Sequence, residues 1–310
     1  MPRVAVVGAV NADYLLRVPT LPHPGETVTG GHLSISPGGK GANQAHAAAR
    51  LGAEVLLVAS VGADPGADAE RAALAADGVD PSGLSVAPAP TGLAVVLVDA
   101  TGENAIAVAP GANELLTPAQ VTERLRTWLT PAAIVLCSLE VPLDAAAAAA
   151  QAAATAGALA VVNPAPALPL PAALLSGTVL TPNEGELASL VPAAPSEDAA
   201  IHCLLDSGAR AILVTRGSRG ATLHRRATPP VAIPAPEVTV ADTVGAGDAF
   251  NGALAWSLAS GAELTAAATA AVAAGAAACT GTGARAALPS PATLATLLTP
   301  AAFAAATHPA

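Results

Sequence analysis

From about residue 118 onward the chain alternates helical and strand patterns, and this alternation constrains the fold more than any other feature. Helical patterns at 118–129, 143–157 and 197–208 separate short apolar runs at 133–137, 158–163, 178–181 and 211–217. The runs read as buried strands. Strands joined through helices lie parallel, and such a sheet needs helices on both faces. Two further buried strands are expected at 3–8 and 55–62, and closing helices near 245–260, 263–279 and 291–298. No repeat or long linker interrupts the pattern. The expectation is an α/β fold: one three-layer αβα domain over 1–310, with a mainly parallel central sheet.

Two stretches depart from this pattern. Segments 14–36 and 92–109 carry turn residues and rough alternation, which suits antiparallel strands with one exposed face, and DATGEN at 99–104 is a hairpin turn. Together they predict a small sheet set apart from the main one. Hydrophobic residues make up 53% of the chain but aromatics only 2%, so the core must be close-packed Ala, Val and Leu. The long uncharged runs at 145–162 and 264–284 are rich in Ala and Thr, whose transfer free energy is too small to hold a membrane span. A net charge of -10, with 13 Lys and Arg thinly spread, leaves no basic patch for nucleic acid. Cys137, Cys203 and Cys279 lack CxxC spacing, which gives neither a disulfide framework nor a zinc site. The amino terminus runs directly into a strand pattern with no signal peptide. A reducing, cytoplasmic setting and a small-molecule ligand are expected.

In an open parallel sheet, ligands bind at the carboxyl ends of the strands. The loops there include 8–13 (GAVNAD), 38–44 (GGKGANQ), 137–142, 163–167, 181–186, 215–220 (TRGSRG) and 242–248 (DTVGAGD). None is a Walker A loop, and GxGxxG is absent as well, since 245–250 and 281–286 both lack the last glycine. The GAGD stretch at 245–248 does lead into a helix, where open N–H groups and the dipole favour an anion. Asp248 there is either a helix cap or a catalytic base. Lys40, at the mouth of a second glycine-rich helix start with Asn43, is either solvated or a charge for phosphate. Asn11 and Asp13 form either an Asx turn or a grip for vicinal hydroxyls. Glu140 is either a surface acid or part of the same site.

Taken together, 8–13, 22–30 (PHPGETVTG), 38–45 (GGKGANQA), 163–167 (NPAPA), 181–184 (TPNE), 215–220 and 242–254 (DTVGAGDAFNGAL) closely resemble the ribokinase branch of the ribokinase-like (PfkB) sugar kinase family. They stand in family order and span nearly the whole chain. The resemblance implies transfer of the ATP γ-phosphoryl group to the 5-hydroxyl of D-ribose, with Mg2+ on the nucleotide. It implies Asp248 as base and the N–H groups of Gly245, Ala246 and Gly247 as anion hole. Asn11, Asp13, Gly39, Lys40, Asn43, Glu140 and Asp248 match the sugar site. Asn183 and the loop of Thr215, Arg216, Gly217, Ser218, Arg219 and Gly220 match the nucleotide side, as does Gly247. K+ activation is implied at Asp242, Val244, Ala278, Gly281, Gly283 and Ala287, although Ala287 replaces a frequent serine. Val272 stands where relatives often place a polar residue near adenine. The small sheet matches a family lid that often pairs into a homodimer. Deoxyribose, another sugar or a nucleoside is the alternative acceptor.

Overall fold

Consecutive side chains of the first strand, β1 (Arg3–Val7), point to opposite faces, and Val4, Ala5, Val6 and Val7 are all 0% exposed. The sheet built on this strand is therefore covered on both sides. The computed structural model describes residues 1–307, so the last three residues of the expected domain lie outside it. After β1 come β2 (Asn11–Arg17), β3 (His32–Gly38), helix α1 (Lys40–Arg50), β4 (Glu54–Val61) and α2 (Pro65–Ala76). Then follow β5 (Leu84–Val86), β6 (Gly92–Val98), β7 (Asn104–Ala109), α3 (Pro118–Arg126), β8 (Ile134–Ser138), α4 (Leu143–Ala156), β9 (Leu159–Asn163) and α5 (Ala172–Leu175). The chain continues through β10 (Val179–Leu180), α6 (Glu184–Leu190), α7 (Glu197–Asp206), β11 (Ala211–Thr215), β12 (Ala221–Arg225) and β13 (Thr228–Ile233). It closes with α8 (Ala246–Ala259), α9 (Leu264–Ala278), α10 (Pro291–Leu297) and α11 (Pro300–Thr307).

Nine strands form the main sheet in the order β13-β12-β11-β10-β9-β8-β1-β4-β5. All neighbours pair in parallel except at β12 and β13. The chain runs one way from β1 to β4 and β5, and the other way from β8 to β11, so the loops after β1 and β8 diverge and open a crevice. Val4 and Val6 belong to the core under α1, α2, α8 and α9, and Ala5 and Val7 to the core under α3, α4, α6 and α7. Four α-helices among the described residues begin with proline behind a side-chain cap: Asp64 before Pro65, Thr117 before Pro118, Ser290 before Pro291 and Thr299 before Pro300. Helix α3 ends at Arg126, short of the expected 129, and α11 extends the chain beyond the last expected helix. Among the described residues no helix is long and apolar enough to cross a membrane.

The small sheet has the order β3-β2-β6-β7. Its first segment is two strands, 11–17 and 32–38, so the first begins three residues before the expected 14 and the second ends two after the expected 36. Pairing within each segment is antiparallel, as expected, and the two segments join through a parallel ladder of β2 and β6 from Asn11↔Gly92 to Arg17↔Val98. The hairpin turn is as read: Asp99 Oδ1 accepts from the N–H groups of Thr101 and Glu103. Leu33, Ile35, Ile106 and Val108 are exposed on this sheet.

One crossing of alanine-rich helices sets up the site. A Cβ at Gly252 of α8 would fall 2.5 Å from Ala47 Cβ and 2.8 Å from the Gln44 carbonyl of α1. Only a residue without a side chain lets the two backbones touch, and this contact brings the first turns of both helices together.

Candidate active site

The first turns of α1 and α8 meet at the carboxyl ends of β1, β8, β9 and β10. A cleft of about 240 Å³ opens there, lined among others by Lys40, Asn183, Glu186, Gly245, Gly247 and Asp248. Gly245 holds φ +79, a left-handed backbone that suits glycine, and a Cβ there would lie 2.5 Å from the Ala284 carbonyl. It is the N-cap of α8, and it has no side chain with which to bond the first-turn N–H groups.

Asp248 is therefore not the cap; it lies inside the first turn of α8. Its carboxylate is 7% exposed and turns away from its own helix toward α1. Oδ2 accepts from Asn43 Nδ2 at 3.0 Å and Oδ1 from Gln44 Nε2 at 3.0 Å. Burial pushes the carboxyl up from its ordinary range, opposed by the Lys40 ammonium, the Asn43 and Gln44 amides and the Arg285 guanidinium. A buried carboxylate made more basic and still accessible from a cleft is suited to proton abstraction.

The other residues expected from the sequence gather around it. Burial works against the charge of Lys40, but Asp248, Glu140, Glu186 and Asp13 outweigh it and hold the ammonium above its ordinary value. Gly39, at φ +88, caps α1, and the Lys40 N–H donates to Glu140 Oε2 at 2.9 Å, tying the loop after β8 to that helix start. Glu140 is thus no free surface acid; burial raises its carboxyl too. Asn11 and Asp13 lie in β2, not in an Asx turn, and sit beside the 240 Å³ cleft rather than within it. Burial, with the charges of Asp248 and Glu70, pushes the Asp13 carboxyl up to about 6 against the pull of Arg285 and Lys40. Asp13 Oδ1 and Gln44 Oε1 are buried with no hydrogen-bond partner among the described residues. Such orphaned buried oxygens call for a partner that the chain itself does not supply.

Among the residues expected on the nucleotide side, Asn183 caps α6 with Glu186 in a capping box and bridges to Thr215. The guanidinium groups of Arg216 and Arg219 are engaged by Glu184, and that of Arg216 by Glu197 as well. Within this loop the Gly220 N–H donates to the Gly217 carbonyl, and the Gly220 carbonyl accepts from the Arg216 N–H. Val272 is 6% exposed and packed in the core beneath α1 and α8. Asp242 Oδ1 accepts from Val244 N–H and Oδ2 from Gly283 N–H, stitching together the two segments expected to hold a cation. Burial opposes the charge of Asp242, but these N–H bonds prevail and hold its carboxyl below the usual range.

Several site residues escaped the sequence reading. Gln44 also donates to Asn163 Oδ1 at 3.0 Å, so one amide links the end of β9 to Asp248. Asn251 accepts from Thr181 Oγ1 and donates to the Gly247 carbonyl at 2.9 Å, fixing the α8 turn against the end of β10. Arg285 donates to Asn43 Oδ1 at 2.7 Å, to buried Glu70 at 2.8 Å and to the Gly38 carbonyl at 3.2 Å. A polar side chain in an alanine-rich helix was the available signal for Gln44; Arg285 had none. A larger recess of about 340 Å³ lies among His202, Arg225 and Arg226. It sits at the opposite end of the sheet, where His224 pairs with Ile212, and Arg226 there is spent on Asp206 and the Leu205 carbonyl.

The profile of the pfkB family carbohydrate kinases matches residues 1–291. The chain is 36% identical over 261 residues to the ribokinase of Haemophilus influenzae, covering 82% of this chain and 85% of that one. It is 34% identical over 260 residues to the deoxyribokinase of Salmonella typhimurium, covering 81% and 84%. Among solved structures, the ribokinase of Arabidopsis thaliana complexed with ribose and ATP superposes with a TM-score of 0.86 at 29% identity, over 96% of this chain and 99% of that one. Family profile, sequence identity and fold agree, and the chain belongs to the pfkB family of carbohydrate kinases.

Proposed function

We propose that the protein transfers the γ-phosphoryl group of ATP to the 5-hydroxyl of D-ribose, giving D-ribose 5-phosphate. The carrying observation is the buried Asp248 carboxylate, held by Asn43 and Gln44 at the open amino terminus of α8. In this reading Asp248 takes the hydroxyl proton as the sugar oxygen attacks phosphorus. The N–H groups of Gly245, Ala246 and Gly247, with the Lys40 ammonium, meet the charge that grows on the phosphoryl oxygens. Phosphoryl transfer asks the protein mainly for such positioning and charge stabilisation. Removing one anion-hole donor costs about 10²- to 10³-fold. Asn11, Asp13, Gly39, Lys40, Asn43 and Glu140 take the sugar hydroxyls. Asn183, Thr215 and the backbone of 216–220 take the nucleotide.

Two ions accompany this reading. Mg2+ bound with ATP would neutralise phosphate charge, and Glu186, which lines the cleft and accepts from the Asn183 N–H through Oε2, would help hold it. K+ belongs beside the anion hole, and the residues fit it. Among the described residues no hydrogen bond reaches the carbonyls of Val244, Ala278, Gly281 or Gly283. Ala287 offers its carbonyl alone and packs against Gly281, where a Cβ would lie 2.7 Å from its own. The small sheet acts as lid of a single kinase domain, and its exposed Leu33, Ile35, Ile106 and Val108 suit pairing with a second copy as a homodimer. The three cysteines, none in a disulfide, accord with a cytoplasmic setting.

The test is ADP release with ribose, 2-deoxyribose, fructose and nucleosides, each with and without K+. Ribose is expected to give the highest kcat/KM, and K+ to raise it. The 34%-identical deoxyribokinase makes deoxyribose the second reading. Release with a nucleoside but not with ribose would overturn the assignment.

The site also sets a pH dependence. Asp13 accepts sugar hydroxyls through both oxygens only as a carboxylate, and its carboxyl is pushed up to about 6 from the ordinary value of 3.8. Sugar KM should therefore rise as pH falls through about 6, while ATP KM holds. Linkage runs the opposite way for the free enzyme. Stability from this group is complete below 3.8 and is lost as pH rises through about 6. Melting temperatures from pH 4 to 7, with and without saturating sugar, check both signs: sugar should stabilise more at pH 7 than at pH 5.

A further inference from the structure

Asn113 lies in the short 3-10 helix Gly111–Leu115 after β7, outside every motif read from the sequence, and is only 1% exposed. Its Oδ1 accepts from the Val10 backbone N–H at 2.9 Å. A backbone amide can only donate, so this bond settles which end of the Asn113 carboxamide is oxygen. Nδ2 is then the donor, and it donates to the Val10 carbonyl at 3.1 Å and to Asn11 Oδ1 at 2.9 Å. The opposite orientation of Asn11 would set two N–H groups against each other. Asn11 thus spends its oxygen on Asn113 and keeps Nδ2; among the described residues nothing accepts from that nitrogen, although Asn11 is only 6% exposed.

Two neighbours make this arrangement specific. A Cβ at Gly92, which pairs with Asn11 in the β2–β6 ladder, would fall 2.2 Å from both Asn11 Oδ1 and Asn113 Nδ2. The amide pair therefore occupies space that any side chain at 92 would take. Asp13 lies two residues along β2, on the same face, and its buried Oδ1 has no partner. A fixed donor beside an orphaned acceptor matches a pair of adjacent hydroxyls, one accepting from Asn11 and one donating to Asp13.

We propose that Asn113 is a positioning residue that holds the Asn11 carboxamide as an obligate donor, and that this polarity makes the pocket select sugars with an intact vicinal diol over their deoxy analogues. The inference rests on the sugar-kinase reading above and adds the origin of its selectivity. A site built to hydrogen-bond a hydroxyl leaves a buried group unpaired when the hydroxyl is missing, and so rejects the deoxy analogue strongly. Without Asn113, Asn11 can turn over and present oxygen instead of nitrogen.

The test uses Asn113→Leu, which keeps the branched shape and removes both polar ends, and Asn113→Ala, which admits a water able to serve either orientation of Asn11. Ribose, 2-deoxyribose and 3-deoxyribose are compared by KM and kcat. Both variants should raise ribose KM about tenfold or more, with ATP KM and saturated kcat within about threefold of wild type. The preference for ribose over at least one deoxy sugar should drop by at least about tenfold. A merely structural role would instead lower kcat and melting temperature together and leave the preference intact, which would overturn the proposal. If Asn113→Leu does not fold, Asn113→Ala carries the same readout alone. Should the wild type act on a nucleoside rather than ribose, the same ratios are read with that nucleoside and its deoxy forms, so the two failures are seen separately.

Discussion

Asp248→Asn is expected to lower kcat by at least about 10²-fold, the low end of what a general base contributes, while the melting temperature changes little. The lost chemistry is direct: an amide nitrogen or oxygen cannot take the hydroxyl proton. The small effect on stability follows from the surroundings. Asp248 accepts from two amides, so one of its oxygens replaced by NH2 would face a donor. Gln44 Oε1 is without a partner and can turn to accept from the new nitrogen, and Asn163 can turn with it. Removing a buried charge also relieves the desolvation that raises this carboxyl. Capping cannot mask the result, because the carboxylate makes no bond to first-turn N–H groups. Near-normal turnover in a folded Asp248→Asn variant would remove Asp248 from the mechanism.

The strands and helices were legible because their signals are local. Alternating short apolar runs and alanine-rich helices dictate a parallel, two-sided sheet, and the chain from α3 to β11 follows that rule with ends shifted by a few residues. Pairing across distance was not legible. Nothing near Asn11 or Gly92 says that β2 and β6 run parallel. The cap of α8 turned on the left-handed backbone of one glycine, Gly245, which the letters GAGD leave undecided. The letters TRGSRG also do not show that Glu184 and Glu197 hold the Arg216 and Arg219 guanidinium groups. Gln44, Asn113 and Arg285 carry the site's orientation through partners about a hundred or more residues away, and such partners leave no periodicity to read.

Arg285→Met should produce the largest loss of stability, and a second substitution separates that loss from its effect on the site. Glu70 is 0% exposed, and Arg285 donates to its Oε2 at 2.8 Å. Leaving a buried carboxylate without its cation costs about 3–5 kcal/mol, so the single variant should melt far below wild type. Replacing the acid as well, in Arg285→Met with Glu70→Leu, removes the unpaired charge and should restore most of the stability, since an apolar pair often replaces a buried ion pair without loss. Catalysis should not return with it. Arg285 Nε also binds Asn43 Oδ1 at 2.7 Å, which turns the Asn43 NH2 toward Asp248. With that bond gone Asn43 can rotate, and a misplacement of about 1 Å at a reacting group costs about 10²-fold. The guanidinium also counters the rise of the Asp13 and Asp248 carboxyls, so its loss pushes both further up. Arg285→Lys should keep Glu70 paired yet fail to span Glu70, Asn43 and the Gly38 carbonyl at once, giving good stability with poor sugar KM. Thermal melts and kcat/KM measured on all three variants decide the matter: a stable double variant with wild-type kcat/KM would reduce Arg285 to a fold-stabilising residue, whereas stability without activity assigns it to the sugar site.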